Sequence, residues 1–490
     1  MPPRAPIGPF KDYDFHDALG LADLVRRREV APLELVETAI QRIEALDDRL
    51  NAITIRCFEA ALDEARTHHR SGPFAGVPYL AKDLHTSWAG VRSTNSISSF
   101  ADTVSVSDSL VTARSKAAGF ILIGKTNVPE WGWSLTTESP MHGPARNPWD
   151  FAKSPGGSSG GAAVAVAAGY LPLADAGDGA GSTRVPAAIN GLVGLKPSRG
   201  RISPGPEAAD FWFGGGQSLC VSRSVRDTAA MLDVLQGGYP GEPYYIPERR
   251  VFLDCTAPST RRLRIGFSLH NPRGDSNSPE VERAVAHAAR LCATLGHEVE
   301  LFDFDYDFAD LWRAYTGVIR VQTATQFDDH ARRRGVPNRP GDMSRTIWTT
   351  IERGRATDAI RHTRDIERMR WHSRHVATLT SRYDVVLLPV LPQGTRPLGF
   401  YDMSLDVDDY DAGAMGEDAV YMMPFNVSGQ PAMSLPLGMD RSGLPLGVQL
   451  VAPPAGEATL IELAAALERA QPWYDRRAPF HAANGESGVF

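Results

Sequence analysis

The chain of 490 residues is long enough to bury a large hydrophobic core, and its composition, 42% hydrophobic and 22% charged residues, is that of a soluble globular protein. A formal net charge of −7 argues against nucleic acid or another polyanion as a partner. No apolar run approaches the ~18 residues of a transmembrane helix, and the N-terminus carries no apolar leader. We therefore expect a cytoplasmic protein that does not bind membranes.

Neither the cysteines nor the histidines indicate a metal site. Four widely spaced cysteines without a CxxC pair are typical of buried thiols in a reducing compartment: Cys57, Cys220, Cys255 and Cys292. His372 and His375 share a helix face, but no third ligand is identifiable in the sequence. We predict neither a metal nor a cofactor.

Helical and strand patterns alternate along the first half of the chain. Apolar residues at helical spacing predict helices over 33–47, 58–69, 108–119, 162–170 and 224–238. Short apolar runs between them predict strands over 76–84, 120–127, 171–177 and 189–197. Such alternation favours an α/β layered fold.

The second half continues this alternation after an irregular stretch rich in Pro, Tyr and Arg. Strand patterns lie at 262–269, 297–304, 431–438 and 447–454, and helical patterns lie at 280–295, 305–380 and 459–471. Residues 402–418 are predicted to form an acidic loop. Because no repeat or low-complexity linker divides the chain, we expect one compact domain over residues 1–490.

Two glycine-rich segments each carry a serine, and a lysine lies upstream in an apolar stretch. Ser158 stands in GGSSGG, Ser182 ends GDGAGS, and Lys82 stands in GVPYLAKD. Glycine lets backbone N–H groups approach a ligand closely, so either hydroxyl has the surroundings of a nucleophile beside an oxyanion hole. No histidine stands in a comparable context, which makes Lys82 the candidate proton acceptor.

Other serine and glycine motifs fit less well. The G-x-S-x-G pattern around Ser158 is formally that of an α/β-hydrolase, but that motif follows a strong strand, whereas the approach at 146–155 is polar and rich in turn residues. The GK[ST] of a phosphate-binding loop is absent from this segment, and no lysine follows a serine in the S-x-x-K pattern of β-lactamases.

Three motifs together resemble the amidase signature family: GGSSGG at 156–161, D-x-x-G-S-x-R-x-P-A from Asp178 to Ala187, and GLKP at 194–197. The resemblance extends from about residue 30 to 470 and is weakest over 240–400. It implies one large α/β domain in which a central mixed β-sheet is covered by helices on both faces.

The resemblance also implies how the chain is organised around its substrate. A signature core covers about 75–235, a variable substrate-pocket region covers about 240–425, and the C-terminal strands and helix cover about 426–470. The pocket walls are expected from the parts that least resemble the family, at 131–142, 205–220, 312–350 and 400–425.

By the same resemblance, Ser182 is the nucleophile, Ser158 is a bridging serine that follows a cis peptide bond from Gly157, and Lys82 is the base. A buried lysine suits this role, because burial disfavours its charged form and lowers its pKa. Proton transfer would run from Ser182 to Ser158 and on to Lys82.

The resemblance assigns supporting roles to the residues around Ser182. The candidate oxyanion-hole donors are the backbone N–H groups of Gly179, Ala180, Gly181 and Ser182. Ala180 stands where the family more often has glycine, which would restrict the loop if the position requires a left-handed backbone. Ser159, Asp178 and Arg184 are expected to hold the two loops together.

The implied activity is hydrolysis of a carbon–nitrogen bond in a small or medium linear, aryl or cyclic amide. Within the family, the motifs are similar to those of bacterial stand-alone amidases of the 6-aminohexanoate-cyclic-dimer hydrolase type. Carbamate or ester hydrolysis by the same residues is an alternative. A glutamine-hydrolysing amidotransferase A-type subunit is disfavoured, since its SSNLxRYDG-type segment is absent from the central region. A homodimer is left open.

Overall fold

A computed structural model describes residues 7–67, 71–206 and 208–484 of the chain. Its strands are β1 (Ile53–Arg56), β2 (Pro78–Lys82), β3 (Ile121–Thr126), β4 (Glu138–Ser139), β5 (Gly143–Pro144), β6 (Leu173–Asp178), β7 (Val193–Lys196), β8 (Gln217–Ser222), β9 (Arg264–Phe267), β10 (Glu298–Leu301), β11 (Val385–Pro389), β12 (Ala432–Met439) and β13 (Pro445–Val451).

The α-helices are α1 (Ala18–Arg27), α2 (Pro32–Leu50), α3 (Phe58–Thr67), α4 (Leu110–Ala117), α5 (Gly160–Ala167), α6 (Arg184–Asn190), α7 (Val225–Leu235), α8 (Pro279–Thr294), α9 (Phe308–Arg334), α10 (Arg345–Ala356), α11 (Ala359–Thr380), α12 (Val407–Tyr410), α13 (Gly416–Ala419), α14 (Met423–Ser428) and α15 (Glu457–Ala470). Within the described ranges, none of these helices has both the length and the apolar character needed to span a membrane.

Eight strands form a mixed sheet in the order β10-β9-β11-β13-β12-β7-β8-β6. The three strands at one edge, β10, β9 and β11, run parallel, and every later neighbouring pair runs antiparallel. The other edge strand, β6, leads directly towards Ser182. The sheet therefore combines parallel and antiparallel pairs, as the resemblance implied.

Both faces of this sheet are covered by helices, as the side chains of β11 show. Val385 and Leu387 point into a core formed with α7, α8 and α15, whereas Val386 and Leu388 point into a second core formed with α9, α11 and α14. Successive residues of a strand face opposite sides, so a run of apolar residues indicates burial on both. The predicted α/β fold with a helix-covered mixed sheet is confirmed.

A smaller sheet of order β1-β3-β2 lies beside the edge strand β6. The Lys82 backbone N–H, at the end of β2, donates to the Asp175 carboxylate of β6 at 2.9 Å. A third core, with α2 and the small-residue helix α5, packs against this sheet. Strands β2 and β6 end at Lys82 and Asp178, so the junction of the two sheets brings these residues together.

The predicted acidic loop at 402–418 is wrong, since most of it is helical. Asp406 caps α12 by accepting from the Asp408 N–H, and a π-helical turn over Asp411–Met415 then leads into α13. Most carboxylates of this stretch are paired with arginines elsewhere in the fold, as Asp408 and Asp411 are with Arg320 of α9. Ion pairing across the fold removes the repulsion that the local sequence suggests.

Several short elements escaped prediction from the sequence. Besides α12 and α13, they are α1, β1, β4, β5, α6, β8, β11 and α14. The predicted helix over 58–69 is present as α3 to Thr67, and positions 68 and 69 lie outside the described residues. The long helical stretch at 305–380 consists of α9, α10 and α11.

Candidate active site

Lys82 is buried at the end of β2, where its side chain reaches the first serine segment. Its Nζ donates to Ser158 Oγ at 2.9 Å and to the Gly177 carbonyl at 3.2 Å. Burial lowers the pKa of the Lys82 amine to about 8, although the Asp175 and Asp178 carboxylates oppose this shift. A substantial fraction of this amine is thus neutral in mildly alkaline solution.

Ser158 lies just before α5, and the peptide bond that joins it to Gly157 is cis, as the resemblance implied. The next residue, Ser159, connects the two serine segments. Its backbone N–H donates to the Ser182 carbonyl at 3.1 Å, and its hydroxyl exchanges hydrogen bonds with the backbone of Gly177. Ser158 and Ser182 are consequently held in adjoining loops.

The loop that carries Ser182 is folded around the buried pair of Asp178 and Arg184. The Arg184 guanidinium binds both carboxylate oxygens at 2.8 Å, and Asn426 donates to Asp178 Oδ1 at 2.9 Å. Burial alone would raise the pKa of Asp178, but the Arg184 charge and the hydrogen bonds from Arg184 and Asn426 together hold this pKa below its usual range. The remaining Arg184 donors bind Met422 O, Gln449 Oε1 and Asn426 Oδ1, which tie the loop to α14 and β13.

The structure changes the set of oxyanion donors that the resemblance implied. The Gly181 N–H donates to Asp178 Oδ1 at 2.8 Å and is therefore already bound. Over the described ranges, the N–H groups of Gly179, Ala180 and Ser182 have no acceptor in the protein. The prediction that the Gly181 N–H contributes to the oxyanion hole is corrected, because this N–H already donates to the Asp178 carboxylate.

The alanine in this loop is compatible with its backbone. Ala180 is not among the residues with positive φ, whereas Gly181 has φ of 119°. Glycine is needed at 179 for a different reason, since a Cβ there would lie 2.1 Å from Cζ3 of Trp212. The Tyr315 hydroxyl also donates to the Gly179 carbonyl, which orients the next peptide N–H.

Lys82, Ser158 and Ser182 all line one cavity, whose empty space is about 810 Å³ when the solvent at its open mouth is included. The remaining wall comes from Leu84, His85, Thr86, Ser109, Val111, Trp131, Gly132, Gly177, Asp178, Gly179, Ile202, Ser203, Pro204, Gly205, Phe211, Trp212, Gly216, Gln217 and Ser218. The predicted contributions from 131–142 and 205–220 are thus present in part. The segments at 84–86, 109–111 and 202–204 were missed, because nothing in their local sequence indicates a cavity.

Among the described residues, none from the predicted pocket region at 240–425 lines this cavity, which corrects the expectation for 312–350 and 400–425. Helix α9 lies one layer further back. Its Tyr315 packs edge-on against Trp212 and binds the Gly179 carbonyl, so this helix supports the wall without forming it.

Among the described residues that line the cavity, each charged side chain already has a partner, since the Lys82 amine is bonded to Ser158 and to the Gly177 carbonyl. The ionisable Lys, His and Asp side chains of its lining are Lys82, His85 and Asp178. Asp178 is paired with Arg184, and burial together with the nearby Lys82 lowers the pKa of His85 to about 3. The His85 ring lies between Trp131 and Phe211 and is neutral near pH 7. The wall is therefore largely apolar and aromatic.

Within the described ranges, no group of three or more His, Cys, Asp or Glu side chains is arranged to hold a metal ion. The chemistry that the arrangement supports rests on hydroxyl, amine and backbone N–H groups.

Gly179→Ala is expected to lower kcat/KM at least ~10²-fold, because its methyl group must displace Trp212 and thereby shift the donors of the loop. Steady-state kinetics on a chromogenic amide would measure the loss. Gly341→Ala is a matched control, since a Cβ at Gly341 meets nothing within 4 Å. Equal activity of both variants would show that the loop tolerates the shift.

A family model described as Amidase matches residues 34–461 of the chain. The chain belongs to the amidase signature family. The 6-aminohexanoate-cyclic-dimer hydrolase of Paenarthrobacter ureafaciens is 37% identical to it over 477 residues, which cover 94% of this chain and 96% of that protein. The resemblance inferred from the three motifs is confirmed.

Solved structures of amidases agree with this assignment. A 6-aminohexanoate cyclic dimer hydrolase complexed with substrate matches with a TM-score of 0.90 and 36% identity, over 95% of this chain and 99% of that chain. A bacterial aryl acylamidase of the amidase signature family matches with a TM-score of 0.86 and 27% identity, over 96% and 98%. Family membership makes this protein a hydrolase of amide carbon–nitrogen bonds.

Proposed function

We propose that this amidase cleaves its substrate through an acyl-enzyme on Ser182, with Ser158 as proton bridge and Lys82 as base. The observation that carries the proposal is the 2.9 Å hydrogen bond between Lys82 Nζ and Ser158 Oγ, in the cavity that Ser182 also lines. A base and a hydroxyl within this distance meet the geometric requirement for proton transfer.

In the acylation step, Ser182 Oγ attacks the carbonyl carbon of the substrate. Its proton passes to Ser158 Oγ, whose own proton passes to the neutral Lys82 amine. When the tetrahedral intermediate collapses, the relay runs in reverse and protonates the leaving nitrogen as the C–N bond breaks. Water then attacks the acyl-enzyme with the same relay and releases the acid.

The developing oxyanion is assigned to the N–H groups of Gly179, Ala180 and Ser182. These donors are unoccupied by protein acceptors among the described residues and belong to the loop that carries the nucleophile. Donors fixed in advance stabilise the transition state without reorganisation, and each typically contributes ~10²–10³ in kcat.

We propose a substrate that is uncharged on both sides of the scissile bond, such as a cyclic or aryl amide. A charged group would find no free counter-ion among the described lining residues, since Asp178 is paired with Arg184, His85 is neutral, and the Lys82 amine is bonded to Ser158 and must be neutral to act as the base. The names of relatives with this fold, a cyclic-dimer hydrolase and an aryl acylamidase, fit such a substrate. Linear amides, carbamates and esters of similar shape are alternatives for the same residues.

The charge of the cavity also separates this proposal from glutamine hydrolysis. Pentanamide has the amide and chain of glutamine but lacks its ammonium and carboxylate groups. We expect kcat/KM for glutamine to be at least ~10²-fold lower than for pentanamide, because burying an unpaired charge costs a few kcal/mol. Ammonia release by the purified chain measures both.

A panel containing an aryl amide, the 6-aminohexanoate cyclic dimer and an aryl carbamate would then rank the neutral substrates. Glutamine turnover equal to that of pentanamide would contradict the uncharged-substrate proposal and support the amidotransferase alternative.

A further inference from the structure

Asp175 is a buried carboxylate behind the site. It lies in the middle of β6 and is 1% exposed. Its Oδ2 accepts from the Lys82 backbone N–H at 2.9 Å and from the Thr86 hydroxyl at 2.7 Å. Its Oδ1 has no hydrogen-bond partner among the described residues. A carboxylate this deeply buried calls for a reason beyond packing.

Both hydrogen bonds are made to the two ends of one short segment. Lys82 is the last residue of β2, and Leu84, His85 and Thr86 beyond it line the cavity. A single oxygen atom of Asp175 therefore anchors the segment that carries the amine and part of the wall. The same strand, β6, continues through Asp178 into the loop of Ser182.

Among the strands that the structure describes, no ordinary pairing replaces this link. Strand β2 pairs with β3, and β6 pairs with β8, so β2 and β6 belong to different sheets. The Lys82 N–H faces away from β3, and a buried N–H without an acceptor costs about 1–3 kcal/mol. The Asp175 carboxylate supplies that acceptor and joins the two sheets at this point.

We propose that Asp175 is a positioning residue, which fixes the segment from Lys82 to Thr86 against the strand that leads to Ser182. The inference rests on the proposed role of Lys82 as the base. Asp175 acts through Lys82 and does not line the cavity. Its loss is expected to displace the amine from Ser158 and to lower kcat more than it raises KM.

The positioning role of Asp175 can be recognised by the effect of its charge on the pKa of Lys82. Lys82 of β2 and Lys125 of β3 act on Asp175 as nearby cations, and Tyr79 and Cys220 face it from β2 and β8. Burial raises the pKa of Asp175. Its carboxylate, with that of Asp178, raises the pKa of Lys82, and His85 is the other ionisable neighbour of that amine. Removing the Asp175 charge therefore lowers the pKa of Lys82.

The test compares Asp175→Asn, Asp175→Ala and Tyr79→Phe. Asparagine keeps an acceptor oxygen but loses the charge, so we expect kcat within about tenfold of the native enzyme and an acid limb of kcat/KM that moves to lower pH by about 0.5–1 unit. Alanine loses the acceptor as well, and kcat is expected to fall ~10²-fold with KM changed less than threefold. Tyr79→Phe leaves both hydrogen bonds of Asp175 intact and should match the native profile.

If the Asp175→Ala variant fails to fold, Thr86→Val takes its place as the test. It removes the hydrogen bond from Thr86 to Asp175 and leaves the Lys82 N–H bonded to Asp175. We expect it to lower kcat about threefold to tenfold without moving the acid limb. A native kcat in Asp175→Ala or Thr86→Val, or an unmoved acid limb in Asp175→Asn, would overturn the inference. Lys82→Met, measured in parallel, separates the two failures, since its full activity would overturn the proposed base itself.

Discussion

Replacing Ser182 by alanine is expected to abolish amide turnover and to prevent covalent labelling by a serine-directed fluorophosphonate. Loss of a catalytic serine typically lowers kcat by ~10⁶, because the remaining donors bind the substrate but form no covalent intermediate. The side chain is almost fully buried within the loop held by Asp178 and Arg184, so the smaller alanine fits without rearrangement. Turnover of a chromogenic amide and the mass of the labelled peptide measure the two effects.

Ser158→Ala is the matched variant in the adjoining loop. It removes the partner of Lys82 Nζ but keeps Ser182, so we expect a severe loss of turnover together with slow labelling that still maps to Ser182. Label on Ser158 in the Ser182→Ala variant would reverse the roles of the two serines.

Replacing Lys82 by methionine is expected to lower kcat/KM for an amide by ~10²–10⁴-fold, which is the range of a lost general base. Methionine fills the space of the lysine stem, so the effect reports on the amine. In the proposed mechanism the acceptor is the neutral Lys82 amine, whose pKa burial lowers to about 8. Native kcat/KM should therefore fall about tenfold per pH unit below pH 8 and level off above it.

A second buried lysine provides a strict control for this pH dependence. Burial and the neighbouring Arg184 lower the pKa of Lys196 to about 7, and its Nζ donates to the Pro197 carbonyl away from the cavity. We expect the acid limb near pH 8 to persist in Lys196→Met and to vanish in Lys82→Met. If the acid limb is retained in Lys82→Met and lost in Lys196→Met, the titration belongs to Lys196 and the prediction is wrong.

Much of the fold was predictable because its signals are local. The strand runs around β2, β3 and β6 and the helix patterns of α2, α7 and α15 reflect apolar spacing within a few residues. Short elements such as β1 and β11 were missed, since four or five residues carry little periodicity of their own. The acidic stretch before α13 misled for a related reason, because its charges are paired with Arg320 and other arginines far away in the chain.

The sequence alone determined the family, the α/β architecture and the three side chains that meet in the cavity. The family and the three side chains follow from the motifs around Lys82, Ser158 and Ser182, and the architecture follows from the alternation of helix and strand patterns. Both signals come from residues that are close together in the chain. Only the tertiary structure decided which N–H groups of the loop lack a protein acceptor among the described residues. The Asp178 carboxylate accepts from the Gly181 N–H only once the loop is folded.

The tertiary structure likewise decided the cavity wall and the surroundings of the lysine. Thr86, Ser109 and Ile202 reach the cavity from segments whose sequences carry no mark of it. Asp175 meets Lys82 across two sheets, at a separation of 93 residues. The electrostatics of a buried amine depend on every charge packed around it, and that packing is a property of the folded chain.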